Sequence, residues 1–112
     1  MDVIERFEAI LAAGQDNALL RLTLGSAYFK AGRAQEAVKH LRQAVLLDEQ
    51  YSAAWKLLGR ALGDLNENEA AVEAYNRGIE VAEIRGDMQA AKEMRVFRKR
   101  QIAILEKISA NE

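Results

Sequence analysis

Two glycines set 34 residues apart inside helix-forming sequence constrain this chain more than any other feature. Leu24-Gly25-Ser26-Ala27 returns as Leu58-Gly59-Arg60-Ala61. A glycine in a helix interior costs about 0.8 to 1 kcal/mol relative to alanine, so its return in the same frame marks a place that needs the missing side chain. At this period the further pairs are Tyr28/Leu62, Ala37/Ala71, Val38/Val72, Leu41/Tyr75 and Ala44/Gly78. Small residues fall on small and large apolar residues on large. The chain therefore repeats one supersecondary unit. Where helix axes approach within about 8 to 10 Å, a small residue is expected to face another small one. On that reasoning Ala37 and Ala71 face Gly25 and Gly59, and Leu24, Tyr28, Leu41, Leu58, Leu62 and Tyr75 fill the seam.

The unit is helical. Strict apolar/polar alternation is missing, and apolar residues recur at helical spacing along almost the whole chain. Glycine and polar punctuation predicts six helices, near 3–13, 18–31, 34–47, 52–65, 68–84 and 87–109. Gly14, Gly32, Asn66 and Gly86 act as stops, and Asp16 or Asn17 and Ser52 as N-caps. Connections of two to five residues make neighbouring helices antiparallel hairpins.

At these residues the chain resembles the tetratricopeptide repeat family, whose unit of about 34 residues carries a Trp, a Leu-Gly pair, an aromatic and two alanines at fixed offsets. Residues 52–85 match with Trp55, Leu58, Gly59, Ala71 and Tyr75, and residues 18–51 with Leu24, Gly25, Tyr28, Ala37 and Ala44. Arg21 replaces the tryptophan of the first unit, and Glu49 and Glu83 stand where proline is usual. The resemblance implies one all-α domain over 1–112, a right-handed superhelix of antiparallel hairpins. Residues 1–17 form a half-repeat, with Val3, Phe7 and Ile10 in phase, 18–51 and 52–85 two repeats, and 86–112 a capping helix and tail. A strict period puts Lys92 and Glu93 in the Leu-Gly slots of the cap. Sliding it by two puts Ala90, Ala91 and Met94 there instead, which suits burial.

Composition narrows the chemistry. Half the residues are hydrophobic and 29 % are charged, as in a soluble globular protein. Without cysteine, and with His40 as the one histidine, neither a cysteine-based metal site nor the usual nucleophile and base pair can be assembled, so no enzyme, metal or cofactor is expected. His40 and Glu36 form an i, i+4 pair and read as surface residues facing away from the groove. Glu67, Glu69 and Glu73 favour the positive end of the fifth helix. No apolar run approaches the roughly 18 residues of a membrane span, and with no address signal a cytoplasmic location is the default. The net charge of −1 is unevenly spread: residues 85–107 hold seven bases and three acids, 7 − 3 = +4, leaving −5 elsewhere.

In proteins similar to this one, the first helix of each repeat lines a concave groove. The corresponding residues are Leu19, Leu22, Ser26, Phe29 and Lys30, then Ala53, Lys56, Arg60 and Gly63, then, with the slid cap, Met88, Lys92, Arg95 and Lys99. The groove has an apolar end and a basic end, which suits a protein partner presenting a peptide or helix with acidic and apolar residues. Some family members clamp acidic chaperone tails with Lys and Asn of the first repeat; Leu22 and Ser26 stand in those places, so that ligand is disfavoured. Two other readings concern the last helix. Arg95, Arg98, Lys99 and Arg100 with Phe97 could contact nucleic acid, which the overall acidity opposes. Ile102, Ile104, Leu105 and Ile108 could pair two copies into a homodimer.

Overall fold

The computed structural model describes all 112 residues as six helices with no strand: α1 Val3–Ala12, α2 Ala18–Lys30, α3 Ala34–Leu47, α4 Ser52–Asp64, α5 Asn68–Arg85 and α6 Met88–Ala110. The caps follow local chemistry. Asp2 and Asn17 accept from the amides of Glu5 and Leu20, each at 2.8 Å, and Asp87 accepts from that of Ala90 at 3.3 Å. Ser52 is not the cap expected of it. It is already helical, and its hydroxyl donates to Asp87 Oδ2 at 3.1 Å, tying the start of α4 to the start of α6.

The turns repeat as faithfully as the helices. Gly32 has φ 76°, and its counterpart 34 residues on, Asn66, has φ 60°. In both turns the following amide reaches back five residues: Arg33 N–H to Tyr28 O at 2.9 Å, and Glu67 N–H to Leu62 O at 3.0 Å. This is a left-handed helix stop, in which glycine is unstrained and asparagine is tolerated.

Consecutive helices pack as hairpins. In addition α2 touches α4 and α4 touches α6, whereas α1, α3 and α5 make no such contacts with one another. The even-numbered helices therefore form an inner layer and the odd-numbered ones an outer layer, and the stack curves as a right-handed superhelix. Its extents are 48 × 33 × 19 Å, and its radius of gyration of 14.6 Å exceeds the roughly 13 Å of a compact chain of this length.

The core runs unbroken through the stack from Leu24 and Tyr28 to Ala91 and Met94, with Leu24, Leu41, Leu62 and Met94 the largest fully buried side chains. In the cap, Ala90, Ala91 and Met94 are buried while Lys92 is exposed.

The glycines do not face alanines. A Cβ added at Gly25 would lie 2.6 Å from Leu41 Cγ, and one at Gly59 would enter the ring of Tyr75. An antiparallel hairpin closed near Gly32 sets Leu41 opposite Gly25, with Ala37 one turn nearer the closure. The glycine is a hole filled by a large side chain from the facing helix, so the seam is closed by knob and hole rather than by two small residues in contact. A third such site joins α5 to both inner neighbours: at Gly78 the missing Cβ would meet Met94 Sδ and Trp55 Cβ.

Alanine at Gly59 therefore runs against its own propensity. The gain of up to about 1 kcal/mol from removing a helical glycine is outweighed by overpacking against Tyr75, which typically costs about 1 to 3 kcal/mol. Urea denaturation of Gly59→Ala is expected to give a lower midpoint than the parent, and an unchanged or higher midpoint would refute the knob-and-hole account.

Candidate functional site

Three inner helices meet at one side chain. Arg60 of α4 is exposed, and its guanidinium carbon lies 5.0 Å from the ring centre of Phe29 on α2 and 5.7 Å from that of Phe97 on α6. Each contact is worth about 0.5 to 1 kcal/mol at an exposed position. No carboxylate pairs with Arg60 within 4.0 Å; the ion pairs of the molecule are Asp16–Arg21, Arg33–Glu36, Lys56–Glu93 and Glu83–Arg95, and Glu8 also lies 3.7 Å from the His40 ring. Tyr75 lies against Phe97, with ring centres 5.9 Å apart, and its hydroxyl is pushed up to about 12 by burial, with Arg60 pulling the other way.

The cations named from the sequence separate in space. Lys56, one turn before Arg60, bonds Glu93 of α6 at 3.1 Å, so its charge is already met. Arg95 turns to Glu83 of α5 at 2.8 Å and Arg98 to Asn76 at 2.8 Å. Lys92 and Lys99 are exposed and make no ion pair. Arg95 and Lys99 border a shallow depression with Arg98, Ile102, Ala103 and Glu106. What α6 brings beside Lys56 and Arg60 is thus Glu93 and Phe97, which reasoning from repeat phase left out of the groove. The run Arg95 to Arg100 forms no free stacking ladder, since two of its arginines are tied to α5 and Phe97 lies under Arg60.

The apolar end is a separate depression. Leu22, Ser26 and Lys30 line it together with Thr23 and Ala27 of α2 and Asp2, Val3 and Ile4 of the α1 end, around a volume of about 650 Å³. Phe29 is half-buried, Leu19 is 65 % exposed and Met88 55 % exposed, and neither of the last two lines this depression.

One wall of it depends on α1, which has no buried residue of its own. Ile4, Phe7 and Leu11 lean on the core, and a polar cluster supplies the rest. His40, expected on the surface, is 3 % exposed, because it lies within the buried stripe Ala37, Leu41, Ala44 of α3. Its ring stacks on Tyr28 at 5.4 Å, its Nδ1 is 3.0 Å from Arg21 Nη1, and its Nε2 is 3.7 Å from Glu8 Oε1. The Tyr28 hydroxyl donates to Glu8 Oε2 at 2.8 Å, and Arg21 is held by Asp16 at 2.9 Å. Glu8 is the only residue of α1 in this cluster, so it joins α1 to both α2 and α3. No group of three or more metal-ligating side chains exists, and no helix is long and apolar enough to cross a membrane.

The family model for the tetratricopeptide repeat matches residues 2–60 and 28–94. The chain belongs to the tetratricopeptide repeat family. A TPR repeat-containing protein of Pseudomonas aeruginosa is 47 % identical over 95 residues, which is 85 % of this chain and 90 % of that one. Among solved structures, protein BPP2914 from Bordetella parapertussis superposes with a TM-score of 0.79 at 42 % identity, covering 92 % of this chain and 90 % of that one. The first TPR of Spaghetti (RPAP3), solved with the HSP90 peptide SRMEEVD, superposes with a TM-score of 0.72 at 26 % identity, covering 86 % and 75 %. Domains of this family mediate protein–protein interaction.

The polar cluster carries a pH dependence. Burial, with the Arg21 charge behind it, holds His40 below the ordinary imidazole value even though Glu8 pulls the other way. The unfolded chain therefore binds the proton more readily than the folded one, so stability present above about pH 6.5 falls as the pH drops through the lowered folded value. Denaturation midpoints are expected to drop more between pH 7.5 and 5.5, both values chosen about the free imidazole pKa, for the parent than for His40→Gln; equal drops would overturn this assignment.

Proposed function

We propose that the inner face binds a segment of a partner protein, an extended peptide or a helix, with an acidic residue at Arg60 and apolar residues in the depression at Leu22 and Ile4. The observation that carries this is the unpaired Arg60 held between Phe29 and Phe97. Both rings restrict the guanidinium before a ligand arrives, so less side-chain entropy is lost when a carboxylate takes its free N–H edge. Lys56 is a weaker contributor, because a ligand carboxylate must compete with Glu93. Lys30 and Lys92 extend the positive character to either side, and Met88 and Leu19 offer exposed apolar contacts at the rim.

Support from a neighbour is chemical rather than specific. The SRMEEVD peptide held by the first TPR of Spaghetti has acidic and apolar residues in one short segment. Leu22 and Ser26 occupy the first-repeat places used by chaperone-tail clamps, so the acidic anchor falls on the second repeat here and the first repeat supplies apolar surface. The module is an adaptor in this reading, with no catalytic role.

The test is titration of fluorescent acidic and apolar peptides into the parent and single variants. Arg60→Glu is expected to weaken binding by about tenfold or more, the equivalent of about 1.4 kcal/mol, and Lys56→Glu by clearly less. Unchanged affinity for Arg60→Glu would remove the proposal. Peptides lacking acidic residues should bind parent and variant alike.

A further inference from the structure

The outer helices differ in how far they are enclosed. α3 lies between α2 and α4, and α5 between α4 and α6, whereas α1 touches α2 alone. Its residues nevertheless keep the phase of the later pair. Counting back 34 and 68 residues from Leu41 and Tyr75, the side chains seated at Gly25 and Gly59, gives Phe7. Leu41 is 0 % and Tyr75 3 % exposed, while Phe7 is only half-buried. Ile4 holds the station of Val38 and Val72, and Leu11 that of Val45 and Ile79. α1 is thus the outer half of a hairpin, with its knob in place and its inner side open. On that side lies the depression of about 650 Å³, walled by Val3 and Ile4 of α1 and by Leu22, Thr23, Ser26 and Ala27 of α2.

We infer that a helix of a partner protein lies in this depression, antiparallel to α1 and parallel to α2, with a glycine or alanine opposite Phe7. This rests on the reading of the inner face as a binding surface and names the form that its apolar ligand takes. The seat continues an interface that the chain already makes twice: what α2 is to α3 and α4, and α4 to α5 and α6, the visiting helix is to α1 and α2. An extended segment would turn unpaired amides and carbonyls toward apolar walls, which a helix does not. A second copy of this chain has no such face to offer, because the glycines of its α2 and α4 are filled by its own Leu41 and Tyr75. Charge selects nothing here, since Lys30 and Asp2 both border the depression; the fit is one of shape. Val3 and Ile10 are larger than Ala37 and Ala44, their counterparts in the next hairpin, so the visitor lies less close than a covalent hairpin partner and leaves reversibly. Three turns suffice, for α2 itself has 13 residues, about 20 Å at 1.5 Å per residue.

The chain's own sequence supplies the probe. A synthetic peptide of residues 51–65 carries such a face, with Gly59 at the place opposite Phe7; it is titrated into the isotope-labelled full chain and followed by amide chemical shifts. Saturable shifts are expected at Ile4, Phe7, Thr23 and Ala27. Gly59→Phe in the peptide favours the helix but fills the hole, and is expected to weaken binding by about tenfold or more. Ser26→Trp in the protein obstructs the depression from α2; it should keep the helical circular dichroism of the parent and weaken the peptide to a similar extent. No shifts with peptide in large excess, equal affinity for the two peptides, or indifference to Ser26→Trp would overturn the inference. Shifts confined to the surroundings of Arg60, Phe29 and Phe97 would overturn it as well, while leaving the inner face a binding surface.

Discussion

A large side chain seated where a helix has none is the contact on which this molecule depends. Leu41 at Gly25 and Tyr75 at Gly59 occur at the same station of consecutive hairpins, and Met94 with Trp55 at Gly78 carries the same device from α5 to the helices on either side. Because the hole is one residue wide, it sets the register of the hairpin as well as its spacing; a slip of one residue would drive a side chain of α2 or α4 into the knob. Repetition of that register, with the same left-handed stop at Gly32 and Asn66, brings α2, α4 and α6 side by side. The inner face is thus a consequence of outer-to-inner packing and needs no apolar stripe of its own, which leaves its residues free for other uses.

That freedom has an electrostatic limit. A row of bases on adjacent turns destabilises an isolated helix, and the stack relieves it in two ways. Lys56 is neutralised from the neighbouring repeat by Glu93, while Arg60 is held on aromatic faces that leave its N–H edge unused. Two like charges four residues apart thereby acquire different characters, one structural and one available. Arg95 follows Lys56 by pairing outside the groove. The basic end of the groove is less basic than its count implies: of Lys56, Arg60, Lys92, Arg95 and Lys99, Lys56 and Arg95 are ion-paired and the other three are not.

Much of the fold was legible because repetition supplies an internal check: six helices, their limits within a residue or two, and the buried Ala90, Ala91 and Met94 all follow from period and punctuation. What escaped was pairing between side chains far apart in sequence. Phase shows which way Gly25 faces, but only the antiparallel register shows what it meets, so phase alone makes Leu41 a seam filler beside Ala37 where the structure makes it the knob. Likewise phase puts Lys56 on the inner face and cannot show Glu93 reaching it across 37 residues. His40 is legible too, since it stands in the 37, 41, 44 stripe: its polarity argues for the surface, but a buried histidine needs only hydrogen-bonding partners, and Arg21 lies in contact with it.

The two ends of the stack meet the problem of an open apolar face by unlike means. At the start, α1 is short and contributes only half-buried side chains, so its hold on α2 and α3 rests heavily on Glu8, which answers both Tyr28 and His40. Removing a carboxylate that satisfies buried groups costs more than the bond it made, because the partners are left unpaired in a poor solvent; α1 is therefore held by a point contact that chemistry can loosen. At the other end α6 turns Lys92, Lys99 and Arg100 outward and overshoots its support. Its charged outer side blocks a further hairpin from stacking, since three bases would have to be desolvated without partners.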